Sequence, residues 1–242
     1  AGGFALGGMA GFDFRVKRAR GEDMPLVVEG TLDLRNVGVV FDMFPYPLVA
    51  TAGRLIIEDE AVRLPDPGIS VVTPEGGRGR ITGRVDILRQ GKGERDVRPN
   101  LSFVIAGDLV NPALLAAVPP EFGRNATAKL VEAWPGGLMS RSVRPLAELG
   151  LSGPIDCHAR LRTSEDGSTE LRATVVLRDG RIDPRSDLPA TTKLSQVWPA
   201  GLTMDSCEAV LLIDPEKITL RSFKGRRNLG ELQAGGTYVM ET

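Results

Sequence analysis

The sequence predicts a mainly β protein: an antiparallel sheet built from two quasi-repeats, with a small α-helical insert. Apolar and polar residues alternate in several separate segments, most clearly at 12–17 and 155–161, which is the pattern of a strand with one wet face. Glycine and proline, 29 and 17 of the 242 residues, are frequent enough for many strands joined by turns. A motif that begins at residue 44 returns at residue 198, so we expect a repeated unit.

The repeated motif combines an aromatic–proline elbow, a short irregular link and a two-stranded hairpin. An aromatic residue, a proline and a leucine at positions 44, 45 and 48 return at 198, 199 and 202, an offset of 154. Apolar hairpin positions 55, 57 and 64 return at 211, 213 and 220, so the offset grows to 156. Each copy then ends on a glycine-spaced strand, at 79–87 and at 230–240. Self-similarity of this kind indicates one supersecondary unit stacked against its neighbours.

The first half of the chain is predicted to form strands in sequence order. Segments 12–17 and 26–34 alternate apolar with polar residues, and 54–58 and 61–64 form the first hairpin around an acidic turn. The link 65–79 is rich in proline and glycine and is predicted as a loop that holds at most one edge strand. Two further strands at 81–88 and 101–106 are separated by a polar run, 89–100, predicted as a solvated turn.

The period changes after residue 110, where the helical insert is predicted. Asn111 followed by Pro112 has the pattern of an N-cap with proline at the first helical position, and a second weak helix is predicted at 126–134. Alternation returns at 155–161 and 171–178, and an irregular stretch, 183–195, leads into the second elbow and hairpin. We therefore predict a first β repeat unit at 1–108, the insert at 109–148 and a second β repeat unit at 149–242.

Composition and motifs weigh against several functional classes. A net charge of −1 and only 5% aromatic residues give no basis for nucleic-acid binding. His158 is the only histidine and lies on the polar side of its strand, where a surface role is favoured over catalysis. The acidic run 58–60 is predicted to be a solvated hairpin turn, and neither a P-loop nor a strand–GxGxxG–helix pattern occurs. We expect no catalytic residues, no metal site and no cofactor, so an enzyme is the weaker hypothesis.

Cysteine content and the chain start carry less information. Cys157 and Cys207 make neither a metal cluster nor a disulfide framework; one bridge between them stays open, and a small buried thiol is favoured for Cys157. The glycine-rich start is too short to span a bilayer, and neither a signal peptide nor an anchor is recognised. The start at Ala1, without methionine, is expected of a fragment or a processed product.

The segment GTLDLRNVGVVFDMFPYPLVATAGRLIIEDEAVRL, followed by GRGRITGRVDI, carries a family resemblance. It resembles the repeat of the AsmA-like superfamily, which includes the TamB and YhdP proteins of bacterial envelopes. The best match is the sequence of strand, aromatic–proline elbow, Gly-Arg-Leu hairpin and Gly-x-Ile-x-Gly strand. Residues 149–240 resemble a second, divergent copy, in which Ala209 and Gly201 replace Gly53 and Pro47.

The resemblance implies a long, twisted antiparallel sheet curled into an open groove whose apolar lining carries phospholipid acyl chains between membranes. It also implies a periplasmic location, with a tether to the inner membrane by a segment outside this chain, and envelope proteins of either membrane as partners. Strand alternation places ten apolar residues on the candidate lining positions: Leu55, Ile57, Val62, Leu64, Val85, Ile87, Leu211, Ile213, Ile218 and Leu220.

Two other interpretations stay open at this point. Strands with one apolar face can bury it against helices, against each other or against lipid, so a closed β-sandwich or barrel that acts as a binding module explains the same pattern. A non-enzymatic scaffold for outer-membrane protein assembly, which uses exposed sheet edges, is the second alternative. Composition does not separate these alternatives.

Overall fold

A computed structural model describes residues 4–18, 26–41, 44–90, 94–111, 114, 150–164, 167–183, 203–214 and 217–239. These residues form one open, twelve-stranded antiparallel sheet. The prediction of a mainly β, open antiparallel fold is confirmed, and the closed sandwich or barrel is not what the chain forms. The predicted helical insert falls almost entirely outside the described residues.

The strands follow one another along the chain with few interruptions. In order they are β1 (Phe4–Arg18), β2 (Leu26–Phe41), β3 (Phe44–Glu58), β4 (Ala61–Val72), β5 (Arg78–Gln90), β6 (Glu94–Leu109), β7 (Leu151–Ser152), β8 (Pro154–Thr163), β9 (Thr169–Ile182), β10 (Met204–Ile213), β11 (Lys217–Arg227) and β12 (Gly230–Val239). Sequence neighbours are also sheet neighbours, except that β6 is followed by β8 while the short β7 pairs with β9. The topology is therefore a meander, as expected for antiparallel strands joined by tight turns.

The chain divides into two compact units. The first unit comprises Ala1–Asp42, Pro47–Ala106 and His158–Arg172, and the second comprises Met43–Tyr46, Gly107–Cys157 and Ala173–Thr242. The predicted division at 108 and 148 into repeat, insert and repeat stays a prediction.

The core of the first unit is built from the apolar sides of β2, β3 and β4. Its buried members are Leu34, Val37, Ala50, Ile69 and Val71. Gly53 lies where the β3–β4 register shifts, and a Cβ at this position would be 2.9 Å from the Cα of Ile69. The missing side chain thus lets the two strands approach closely at the bulge.

The core of the second unit is formed by β8, β9 and β10. Its buried members are Ile155, Leu177, Ile182, Met204 and Cys207. Val175 and Phe223 are partly buried and pack against this cluster. The Cys207 thiol, which is fully buried, is 3.6 Å from the carbonyl oxygen of Met204.

In the first copy the predicted link falls inside β3, which runs from Phe44 to Glu58. Its irregularity takes the form of register shifts against β4 between Ala50 and Ile56, and its two prolines precede the stretch that pairs with β4, which begins at Val49 opposite Val72. The predicted loop 65–79 is wrong as far as Val72, because these residues extend β4, where Ile69 pairs with Ile81 after a register shift between Leu64 and Ile69. This part of β4 lies between β3 and β5 and is not an edge strand.

The prediction of a solvated turn over the polar run 89–100 is also wrong, because β5 extends to Gln90 and β6 covers the run from Glu94 onward. β6 begins at Glu94, and its charged residues alternate with Val97 and Pro99. This charged run can form a strand because side chains alternate between the two faces of a sheet. The charged side chains lie on the face that is in contact with water. Only the short connection around residues 91–93 separates β5 from β6.

Candidate functional site

The first unit presents a continuous apolar face that includes all six residues predicted there. Directly paired residues of antiparallel strands share a face. Ile57 pairs with Val62, and Val62 pairs with Val85. Ile87, two residues beyond Val85, pairs with Val97 on β6. The remaining two predicted residues, Leu55 and Leu64, pack against the buried core cluster of this unit.

The second unit repeats this arrangement on β9, β10 and β11. Leu211 pairs with Leu220 on one side and with Val175 on the other. Ile213 pairs with Ile218 in the next row of the same face. All four second-unit residues predicted from the sequence thus fall in two adjacent rows. Sequence reasoning missed Leu177 and Phe223, which continue the face, although Leu177 belongs to a segment recognised as a strand.

The two hairpins share the same register. Ile57 opposite Val62 becomes Ile213 opposite Ile218 when both numbers are raised by 156. In both copies the apolar residue two places further, Leu64 or Leu220, faces a glycine on the third strand, Gly83 or Gly236. The common pairing supports the equivalence of the two hairpins that the sequence offset predicted.

Apolar side chains also follow the outermost strand of the first unit. On β1, Phe12 and Val16 pair with Leu32 and Val28 of β2, and Phe14 lies on the same side between them. The three are 73%, 57% and 41% exposed, and the two phenylalanine rings stack with centroids 5.5 Å apart. We call Phe12, Phe14 and Val16 the edge row. The sequence showed their alternation, but they were not predicted as lining residues.

The opposite side of the same strands carries charged residues. Arg54, next to Leu55 in sequence, donates from Nε to Asp33 Oδ1 at 2.6 Å, and this hydrogen bond lowers the pKa of Asp33 below its ordinary value. Arg63 pairs with Glu58, which keeps a second guanidinium on the side away from Val62. Exposed ion pairs of this kind contribute little to stability, but they keep this side of the sheet in water. The sheet of the first unit is thus strongly two-sided.

The residues weighed for catalysis lie apart from one another. His158 is exposed, and its one hydrogen-bonding neighbour among the described residues is Ser102, with Nε2 3.5 Å from Oγ. Asp59 and Glu60 form the exposed turn between β3 and β4. Cys157 and Cys207 are both free thiols, so they are not bridged. In the part of the chain that the structure describes, no three His, Cys, Asp or Glu side chains are placed to hold a metal ion.

A buried polar cluster occupies the second unit beside the start of the predicted insert. Tyr46 and Asp108 are each 2% exposed, and the Tyr46 hydroxyl donates to Asp108 Oδ1 at 3.4 Å. Asn111 Nδ2 donates to the same hydroxyl at 3.1 Å, while Asn111 Oδ1 accepts from the backbone N–H of Leu114 at 2.8 Å. The latter bond joins residues i and i+3, the spacing of an N-cap contact, but the helix predicted after Asn111 lies almost entirely outside the described residues. Burial and the Asp108 charge raise the pKa of the nearby Cys157 thiol to about 11.

Comparison of the chain with known proteins identifies no relative. No family model, no curated protein and no solved structure matches the chain. Among the described residues, no helix has the length and apolar character needed to cross a membrane.

Proposed function

We propose that the chain is a segment of a bacterial envelope protein that binds phospholipid acyl chains along its apolar β face and conducts them between membranes. In this proposal the apolar face of each unit is a lipid-binding surface, and the charged side of the first unit remains in water. The protein acts in the periplasm, is tethered to the inner membrane by a segment outside this chain, and performs no catalysis.

The observation that carries the proposal is the exposed continuation of the apolar face. The rows that contain Ile57 and Leu211 are partly buried, yet at β1 and at the start of β6 the apolar side meets solvent: Phe12 is 73% and Val97 53% exposed. Large contiguous apolar surfaces on an open sheet are usually covered by a partner or by lipid. Acyl chains suit this face because they need dispersion contacts and no hydrogen bonds.

Photocrosslinking from β1 tests this proposal without disturbing the core. A benzophenone amino acid replaces Phe12 on the apolar side, and the matched control replaces Arg15, which is exposed on the other side of the same strand. After incubation with phospholipid vesicles and irradiation, we expect a phospholipid adduct from position 12 and little from position 15. Equal labelling at the two positions, or none at either, would contradict the proposal.

A second candidate function is a scaffold for outer-membrane protein assembly. The observation in its favour is that β1 and β12 stand at the two ends of the strand order, so each has one side that no described strand pairs. Such edges can receive an added strand from another protein. A crosslinker at Gln233, exposed on β12, should then recover a protein, whereas the groove proposal expects lipid from position 12 and no protein from position 233.

A further inference from the structure

A polar pocket of about 230 Å³ lies within the first unit. Its walls come from β5, β6 and the end of β8. The polar residues that line it are Asp86, Arg98, Asn100, Arg162, Thr163 and Ser164. Because a water molecule occupies about 30 Å³ of liquid, the volume admits a small anionic group together with several waters.

The pocket lies on the charged side of the sheet, opposite the apolar rows. Arg98 pairs with Asp86, while its sequence neighbour Val97 pairs with Ile87 on the apolar side. On β6, Arg98, Asn100 and Ser102 lie on the same side of the strand, and the Ser102 hydroxyl contacts His158 on β8. Arg162 is four residues beyond His158, so it projects to the same side as Arg98. Two arginines from different strands therefore converge on one pocket.

Among the described residues, the charges around the pocket leave the Arg162 guanidinium without a counterion. Arg84 pairs with Asp86, and Arg98 Nε donates to Asp96 Oδ2 at 2.7 Å. Arg162 makes no hydrogen bond and no ion pair within the part of the chain that the structure describes. The Asp86 and Asp96 carboxylates already pair with arginines, so an anion in the pocket would supply the counterion for Arg162.

We propose that this pocket, the Arg98–Arg162 pocket, binds a phosphate group. A guanidinium presents paired N–H donors in a plane that matches two phosphate oxygens, and the Asn100 amide and Ser164 hydroxyl add neutral donors. The site goes beyond the lipid groove, because acyl chains against Ile57 and Val85 would lie on the apolar side of the sheet, whereas the pocket lies on the charged side. The phosphate belongs to a second molecule.

Titration of the purified chain with inorganic phosphate, followed by calorimetry or by phosphorus NMR, tests the site. We expect saturable binding that Arg162→Gln weakens about tenfold or more, the scale of a charge-assisted hydrogen bond. Arg162→Lys keeps the charge but loses the planar donor pair, and should give an intermediate loss. Asp86→Asn removes a repelling carboxylate and should strengthen binding severalfold.

The matched control is Arg80→Gln. Arg80 lies on the same side of β5 as Asp86, is exposed, and has no described ion pair, but it does not line the pocket. We expect its phosphate affinity to stay within about twofold of the unmodified chain. Equal losses from Arg80→Gln and Arg162→Gln would reduce the effect to bulk charge and overturn the proposal, as would a chain that shows no saturable phosphate binding. Circular dichroism confirms that each variant is folded.

Vesicle sedimentation identifies the source of the phosphate group. If Arg162→Gln reduces sedimentation with phosphatidylglycerol vesicles as well as phosphate binding, the ligand is a lipid headgroup at a membrane surface. If only binding of inorganic phosphate falls, the ligand is a soluble phosphate or phosphate ester. Both outcomes support the pocket. The apolar-face variant Val97→Asp should leave phosphate binding unchanged, so the pocket and the groove can fail separately.

Discussion

Replacing Val97 by aspartate should weaken acyl-chain binding much more than the same change at Val104. Both valines lie on β6 in an unbroken register with β5, and they are 53% and 48% exposed. Val97 pairs with Ile87 on the apolar side, whereas Val104 pairs with Arg80 on the charged side. The two substitutions thus introduce the same charge, at similar exposure, on opposite sides of one strand.

The expected effect follows from the solvent-exposed half of Val97. Complete burial of a valine is worth about 1.5–3 kcal/mol, so covering the exposed half with lipid contributes roughly 1 kcal/mol. A carboxylate against hydrocarbon costs about 2.5–3.5 kcal/mol at the centre of a bilayer, and about half of that where one side stays wet. The sum, about 2–3 kcal/mol, lowers lipid occupancy roughly 30- to 150-fold.

Native mass spectrometry of lipid-loaded protein measures this difference, with thermal unfolding recorded alongside. Because both positions are about half exposed, we expect each variant to change the free energy of unfolding by no more than about 1 kcal/mol. Val97 is therefore a sharper probe than Ile57, whose partly buried row would make Ile57→Asp destabilise the fold as well. Equal lipid occupancy in the Val97→Asp and Val104→Asp variants would refute the assignment of the apolar side as the lipid site.

Three further predictions concern stability and reactivity. Gly83→Ala should cost several kcal/mol in chemical denaturation, because Gly83 has φ of 127° and a Cβ there would overlap the carbonyl oxygen of β6, whereas Gly236→Ala, in open space, should cost less than about 1 kcal/mol. The rate of Cys157 alkylation, followed by peptide mass spectrometry, should rise with pH up to about pH 11, and this rise should occur at lower pH in Asp108→Asn. Because the thiol of the unfolded chain ionises near pH 8.5, the free energy of unfolding should fall as the pH is raised from about 8.5 to about 11. Tyr46→Phe should lower the free energy of unfolding by about 1–3 kcal/mol, since it removes a buried hydroxyl from the Asp108 cluster.

Alternation alone was enough to predict most of the strands and the side on which each candidate residue lies. It works because side chains on a strand change sides at every residue, so Ile57 and Val62 had to meet if the hairpin formed at all. Turn residues set that register, and the acidic pair Asp59 and Glu60 occupies the turn as predicted. The placement of the ten candidate residues on the apolar sides of their strands therefore needed only local information.

The parts that sequence reasoning missed depend on contacts with more distant strands. Prolines in 65–79 indicated a loop, but the register shift before Ile69 lets β4 continue between two neighbours. The polar residues in 89–100 indicated a solvated turn, although a strand tolerates charged residues when its other face carries an apolar residue such as Val97. The convergence of Arg98 and Arg162 could not be predicted, because it depends on β6 and β8 becoming neighbours across the intervening segment.

The two equivalent Leu–Gly pairs, Leu64 with Gly83 and Leu220 with Gly236, differ in how closely the glycine is surrounded. Gly83 is confined because β6 lies beside it, with the Asn100 carbonyl where a side chain would go; Gly236 occupies the same register position on β12, where no described strand follows and nothing lies within 4 Å. A further strand paired with β12 would crowd Gly236 as β6 crowds Gly83. If the scaffold function holds, Gly236→Ala should reduce protein recovery by the crosslinker at position 233 while the fold remains unchanged. Unchanged recovery would indicate that β12 does not receive a partner strand at this position.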